Sequence, residues 1–392
     1  MEIINKINGL QDELIGLRRD FHRYPELGYE EYRTANIIEK YLRECGMEVK
    51  RMTQTGVVGW LRGCKPGSTL MLRADMDALP LQEATDVPYR SVNPGKMHGC
   101  GHDGHMAMLL IAARILARYR EVLPGNIVFA FEPNEENVGA LAMIEEGLLE
   151  DPRVDACLGI HLWSTIDIGR ISVVPGPVMA GMDHFEVVIK GRGGHTSAPQ
   201  FSVDPILAAA NVIQSVQAIQ TREIDALKPT VIMFGRIQGG SGSNIIAEQV
   251  RLEGTIRYLY EDNDRSPENP KRRFSRIVTD ICRAHQAEAE VSFPFGHPVL
   301  TNDASLASLV RDIAVKVLGA PDAIVPYVSM AGEDFSEFAA RRPAAYYFVG
   351  CRNEKKECFY PHHHPRFNLD EDALRIGAEM HVRTTLRYFR LA

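Results

Sequence analysis

A two-domain α/β fold is predicted for this chain: a mixed, largely parallel sheet with flanking helices, plus a smaller inserted α+β domain. Three observations predict it. The chain has 392 residues, too many for one average domain and enough to bury two cores. In the first part, short apolar runs of strand length alternate with stretches of helical spacing, which indicates a largely parallel sheet. After Gly181 the runs alternate in polarity instead, and after Pro294 the first style resumes. The expected boundaries are residues 1–182 and 293–392 for the discontinuous larger domain and 183–292 for the insert.

The elements follow in order. Residues 3–45 have helical spacing, with Leu10, Leu14 and Leu17 on one face and Ile37, Ile38 and Leu42 further on. Pro25 divides this stretch into two helices. Residues 68–73 (STLMLR), 126–131 (NIVFAF) and 156–161 read as strands, and 105–118 (HMAMLLIAARILAR) as a strong helix. In the insert, 183–190 (DHFEVVIK) alternates like a half-exposed strand. Asp204-Pro205 opens a helix as N-cap and first helical residue, with Ile206, Ala209, Ile213 and Val216 expected on its inner face. Residues 231–234 and 250–258 are further strands, and the polar stretch 262–273 (DNDRSPENPKRR) reads as an exposed loop. Residues 344–349 (AAYYFV) read as a buried strand, and no internal repeat or low-complexity segment occurs.

Bulk properties exclude some functions. A net charge of −7 leaves no basic excess to neutralise phosphates, so no nucleic-acid partner is expected. Seven scattered cysteines, an odd number, do not form a disulfide framework and point to a reducing compartment. The N-terminal stretch is interrupted by charges and reads as neither signal peptide nor membrane span. The expectation is a soluble, cytoplasmic protein without membrane partners.

Four short segments carry the chemistry. Residues 97–105 (MHGCGHDGH) hold three histidines, a cysteine and an aspartate ahead of the apolar helix. Cys100 and His102 are two residues apart, so an extended loop can aim both at one centre, and thiolate and imidazole suit zinc or a similar ion. A capping loop with a buried cysteine is the plainer alternative. Residues 131–136 (FEPNEE) follow a strand and end in two carboxylates that can divide the work, one binding metal and one carrying protons. A solvated carboxylate pair is the alternative there. His161 in GIHLW is by itself more often structural, and PHHHPRF at 361–367 lies inside the chain ahead of a helical stretch, so it is no tag. Together a Cys, a Glu and several His at strand ends form a set suited to two metals sharing a water.

With these motifs the chain resembles the co-catalytic metallopeptidases that include aminoacylases and carboxypeptidase G-type enzymes. Within them it is most similar to the branch of hippurate hydrolases and indole-acetyl-amino acid hydrolases. Eight ordered motifs carry the resemblance: RRDFHRYPELGYEE at 18–31, LRADMDALP at 72–80, MHGCGHDGH at 97–105, EPNEE at 132–136, GIHLW at 159–163, GRGGHTSAP at 191–199, AGEDF at 331–335 and HHPRF at 363–367. The resemblance implies a zinc-peptidase-like catalytic domain with an inserted lid, and two divalent ions, manganese or zinc, with cobalt or nickel as alternatives. It implies Cys100, His102, Glu136, His161 and His363 as ligands and Glu135 as general base and then acid. Asp77 is implied as a ligand-orienting residue, whereas Asp75 stands where other branches carry a ligand histidine and is not counted. From the lid, His195 is implied as oxyanion donor, with Asn244 and Arg257 on the substrate side.

The implied reaction is hydrolysis of N-acetyl, N-benzoyl or arylacetyl amino acids to a carboxylic acid and a free amino acid, by a homodimer or tetramer assembled through the lid. A metallo-carboxypeptidase or dipeptidase with the same metals is the alternative, in which Glu132 or Glu333 meets a free α-amino group. A non-catalytic metal or ligand sensor is a third reading; it is disfavoured because both carboxylates and all five implied ligands are present. The chain departs from the branch in three places. EPNEE replaces Gln-Pro-Ala-Glu-Glu, NVGA follows it in place of a Gly-rich stretch, and Asn244-Ile245-Ile246-Ala247 replaces Asn-Val-Ile-Pro. These changes bear on substrate rather than on reaction type.

Overall fold

The computed structural model describes residues 2–261, 266 and 269–391. The chain divides into two compact units. One comprises the chain up to Val178, Leu300–Val328 and the chain from Asp334 onward; the other comprises Met179–Val299 with Ser329–Glu333. No helix among the described residues is long and apolar enough to cross a membrane.

The larger unit is built on seven strands. Their order across the sheet is Glu48–Met52, Gly56–Arg62, Pro124–Glu132, Lys65–Asp75, Ala156–Asp167, Ala344–Arg352 and Ile171–Ser172. The four central strands run parallel, and antiparallel neighbours close both edges. Strands covered on both faces need continuous apolar runs. The sequence supplies them: all of Ala344–Arg352 except its last residue is buried. The helix His102–Leu116 is likewise buried at every residue but Arg114, as an all-round apolar helix must be. It packs against Asp372–Tyr388 and Gln11–Arg23.

Three local expectations need correction here. The N-terminal stretch forms three helices, Glu2–Asn8, Gln11–Arg23 and Tyr32–Glu44. Gly9, the poorest helix former after proline, breaks the first run. The long helix starts at His102 rather than 105, because Gly101 turns the chain with a φ of 95° and Asp103 suits the first turn. Finally, the strand beginning at Ala156 continues to Asp167, so His161 lies inside it, opposite Phe348, and not at its end.

In the smaller unit, four antiparallel strands lie in the order Thr230–Gly239, Gln249–Tyr258, Gly181–Lys190 and Glu288–His297. Burial alternates along Gly181–Lys190 residue by residue, so one face is apolar. The helices Pro205–Ser215 and Pro270–Ala284 cover that face around Phe185, Val187, Ile256 and Phe274. Asp204 caps the first helix through Ile206 N–H and Leu207 N–H. Its buried face is Ala208, Ala209 and Val212, continuing to Val216, while Ile206 is exposed, which corrects the expected stripe. The polar stretch is also shorter than expected: Asn269 caps a helix that begins at Pro270, so 270–273 are helical. Residues 262–265, 267 and 268 of that stretch lie outside the described residues.

Candidate metal centre

Parallel strands bring their C-terminal ends to one edge of a sheet, where α/β proteins build their sites. Lys65–Asp75 and Pro124–Glu132 end there, and the segments that follow carry Asp77, Glu135 and Glu136. His102 opens its helix close by, and its Nδ1–H donates to the main-chain oxygen of Asp77 at 2.9 Å. That leaves Nε2 as the atom facing the site, where it is buried without a hydrogen-bond partner. The Asp77 carboxylate accepts the Glu136 main-chain N–H at 3.1 Å, so one aspartate holds the His102 ring and the Glu136 backbone. His161 donates Nδ1–H to the Leu162 oxygen at 2.8 Å and turns Nε2 to within 3.6 Å of Cys100 Sγ. His363 has a left-handed backbone, φ 64°, and its N–H donates to Gly99 O at 2.9 Å. Its Nε2 lies 3.2 Å from Glu136 Oε1.

Among the donor groups that result, two overlap at Cys100, and Glu135 falls in two others, one with His102 and Glu136 and one with Glu333 and Asp334. The donor atoms of Cys100, His102 and His161 lie within 4.8 Å of one another, and so do those of Cys100, Glu136 and His363. Cys100 belongs to both. Glu135 stands beside them, with Oε2 3.9 Å from His102 Nε2. Charge agrees with geometry. Burial disfavours a charged His102, but Asp75, Asp77 and Glu136 outweigh it and raise its pKa to about 10. Burial, with His105 and His362 nearby, pushes His161 well below its usual value. The cluster therefore calls for positive charge and offers neutral imidazole, carboxylate and sulfur donors, the chemistry of a borderline-soft divalent cation.

Asp75 and His105 also come close to His102. Their atoms are already engaged, however. His105 Nε2 accepts the Leu162 N–H at 2.9 Å, and its Nδ1–H donates to Asp75 Oδ1 at 2.6 Å. Asp75 Oδ2 accepts from Arg73 at 2.7 Å. Arg73 also donates to Glu132 at 2.6 Å and Asp334 at 3.0 Å, and all four side chains are buried. Glu132 is thus an internal partner of Arg73 and not the substrate-side charge considered from the sequence. Arg73→Met should lower stability by about 3–5 kcal/mol in urea unfolding, because it strands three buried carboxylates. Glu132→Gln keeps an acceptor for Arg73 and should cost only about 1 kcal/mol.

Several residues with a part here had no role assigned from the sequence. Arg18 and His22, four apart on one helix, both bond Asp103 Oδ2, at 2.9 and 2.8 Å, directly behind His102. Their i, i+4 spacing was the available signal. The turn holding Glu135 has left-handed residues at Asn134 (φ 59°) and Val138 (φ 66°), the second unusual for a β-branched residue. Glu31 accepts the Asn134 N–H at 3.0 Å, and Gly28 leaves room for the Asn134 side chain, whose Oδ1 a Cβ would approach to 2.0 Å.

In the smaller unit, Gly194–His195 pairs with Ile245–Ile246, which sets exposed His195 beside exposed Asn244. Ser197 N–H donates to His195 Nδ1 at 3.1 Å, so the ring proton sits on Nε2. Arg257 is half-buried, and its Nη1 donates to Met330 O at 3.3 Å.

A cysteine–histidine–carboxylate cluster at the end of a parallel sheet, with a second carboxylate at hand, is the equipment of metal-dependent hydrolases. Residues 71–387 match peptidase family M20/M25/M40. The chain belongs to that family and is a metal-dependent amidohydrolase or peptidase. It is 39% identical over 391 residues to thermostable carboxypeptidase 1 of Saccharolobus solfataricus, covering 98% of this chain and 97% of that protein. It is 38% identical over 370 residues to N-acetyl-L-cysteine deacetylase of Bacillus subtilis, covering 94% and 86%. The crystal structure of Bacillus subtilis YXEP, described as a dinuclear metal binding peptidase of the M20 family, superposes with a TM-score of 0.83 at 31% identity, covering 98% of this chain and all of that one.

Proposed function

We propose that this enzyme hydrolyses the amide bond of N-acyl amino acids, releasing a carboxylic acid and a free amino acid. Two divalent ions, manganese or zinc, would be held by Cys100, His102, Glu136, His161 and His363. The observation that carries the reading is the pair of donor groups sharing Cys100, with Glu135 beside them and outside the proposed ligand set. Divalent ions supply Lewis acidity there, lowering the pKa of water to about 7 and polarising the amide carbonyl. Glu135 takes a proton from the attacking water and hands it to the leaving amine. His195, with its proton on Nε2, donates to the developing oxyanion. Arg257 pairs with the carboxylate of the amino acid, and Asn244 contacts the substrate from the same unit.

The N-acetyl-L-cysteine deacetylase relative supports an N-acyl substrate. The carboxypeptidase relative supports the second reading, a metallo-carboxypeptidase on the same site. A panel of N-acetyl, N-benzoyl and indole-acetyl amino acids against dipeptides separates them; faster turnover of dipeptides throughout would reject the first. Assembly as a homodimer is proposed through the edge strand Thr230–Gly239, which exposes Val231, Met233 and Ile237 by 37%, 60% and 58%. An open apolar edge of this kind invites pairing with a second copy. A reducing, cytoplasmic setting is proposed from the odd number and scattered positions of the seven cysteines.

Metal loading should depend on pH with a definite sign. His102, with a pKa of about 10 in the metal-free protein, is protonated at pH 7, so an ion must displace that proton. Apparent affinity should rise by about tenfold per pH unit for each proton displaced and level off above pH 10. Calorimetry in two buffers of different ionisation enthalpy counts the protons; release of none at pH 7 would contradict the assignment of His102.

A further inference from the structure

We propose that His105 is a positioning residue that sets the tautomer and aim of His161 through the peptide groups on either side of Leu162, with Asp75 and Arg73 behind it. This rests on His161 being a metal ligand, as read above. Leu162 is a hub. Its N–H donates to His105 Nε2 at 2.9 Å, while its carbonyl accepts His161 Nδ1–H at 2.8 Å and His362 Nε2–H at 3.0 Å.

Each partner's chemistry decides where the protons are. A main-chain N–H can only donate, so His105 Nε2 carries a lone pair and its proton is on Nδ1. That proton goes to Asp75 Oδ1 at 2.6 Å, and Asp75 is held in turn by Arg73 at 2.7 Å. A carbonyl can only accept, so the His161 proton is also on Nδ1, and its Nε2 lone pair is left facing Cys100 Sγ. His362 completes the set, with Nε2–H to the carbonyl and Nδ1 accepting from Ser164 Oγ at 3.2 Å. The result is a series from a guanidinium through Asp75 and His105 to the Leu162 N–H, while the Leu162 carbonyl, in the next peptide group, holds the ligand ring of His161. Its members are buried, and the rings of His105 and His161 meet edge to face with centroids 4.6 Å apart. The His105 bond fixes the peptide that joins His161 to Leu162, and residues behind a ligand commonly govern its affinity for metal.

Two substitutions separate the two ends of His105. In His105→Gln the amide oxygen reaches the Nε2 position and still accepts the Leu162 N–H. In His105→Asn the amide nitrogen takes the Nδ1 position and still donates to Asp75, but nothing reaches Leu162. Cobalt(II) titration of the metal-free proteins, followed by the visible thiolate and ligand-field bands, should show His105→Asn binding about 10–100-fold more weakly with shifted bands. His105→Gln should lie within about threefold of the parent with its bands unchanged. Equal impairment of both variants, or of neither, would overturn the proposal. A second measurement needs no variant: nitrogen-15 imidazole spectra of the metal-free protein should place the protons of His105 and His161 on Nδ1 and that of His362 on Nε2, and any other pattern overturns it. If the parent protein itself binds no cobalt, the reading of the metal centre fails instead, and the imidazole spectra still judge the hydrogen-bond series.

Discussion

Replacing Glu135 by Gln is expected to lower turnover by about 10²–10⁴-fold while leaving metal content unchanged. Two adjacent carboxylates can divide the labour, one holding metal and one carrying protons. Glu136 lies against His363 and shares a donor group with Cys100, whereas Glu135 reaches only His102 and Glu136 of the proposed ligands and lies outside both of the Cys100 groups. The amide of glutamine keeps the volume and loses the proton-carrying function. His363→Ala is the counterpart, since it should weaken metal retention and with it activity. Elemental analysis after metal loading, alongside turnover of an N-acyl amino acid, reads both. An active Glu135→Gln enzyme, or one that has lost its metal, would remove Glu135 from its role.

The second large effect is expected at His195. His195→Ala should reduce turnover by about 10²–10³-fold, the range measured for loss of one oxyanion donor, with metal content and metal affinity unchanged. Its proposed part is confined to the transition state, so kcat should fall far more than KM rises. The structure supplies the right tautomer, because Ser197 N–H occupies Nδ1 and leaves the Nε2 proton to donate. A KM effect alone would make His195 a substrate-binding group, and full activity would make it a turn residue only.

Much of the layout is legible in the residues. The buried strand at 344–349, the all-round apolar helix after MHGCGHDGH and the Asp204-Pro205 helix start each announce themselves by local chemistry: continuous apolar runs, an uninterrupted hydrophobic surface, and a cap ahead of a proline. The donor types of the centre are legible in the same way, because cysteine, histidine and paired carboxylates concentrated in a few short segments have few structural uses. Element ends were less legible. The helix begins at His102 because Gly101 adopts a conformation that spacing alone does not reveal, and the strand through His161 continues because its partner Ala344–Arg352 extends beside it.

What the sequence by itself determined is the family's fold class and which side chains are candidates for the chemistry, since residue type and spacing limit what a thiol, an imidazole or a carboxylate can do. Only the tertiary structure decided how those side chains are shared out. Asp75 and His105 are as well suited to metal as their neighbours by type, yet Arg73 and the Leu162 N–H engage the atoms they would use. Glu132 looks like an extra charge for substrate, yet it is buried against Arg73. Arg18 and His22 had no role assigned from the sequence, yet they lie buried against Asp103. Apart from the Arg73–Asp75 bond, whose partners are two residues apart, these depend on partners 57 to 85 residues away along the chain. Periodicity carries no information at that range; it is the packing of parallel strands and a buried helix that decides which polar atoms meet each other and which are left to face the centre.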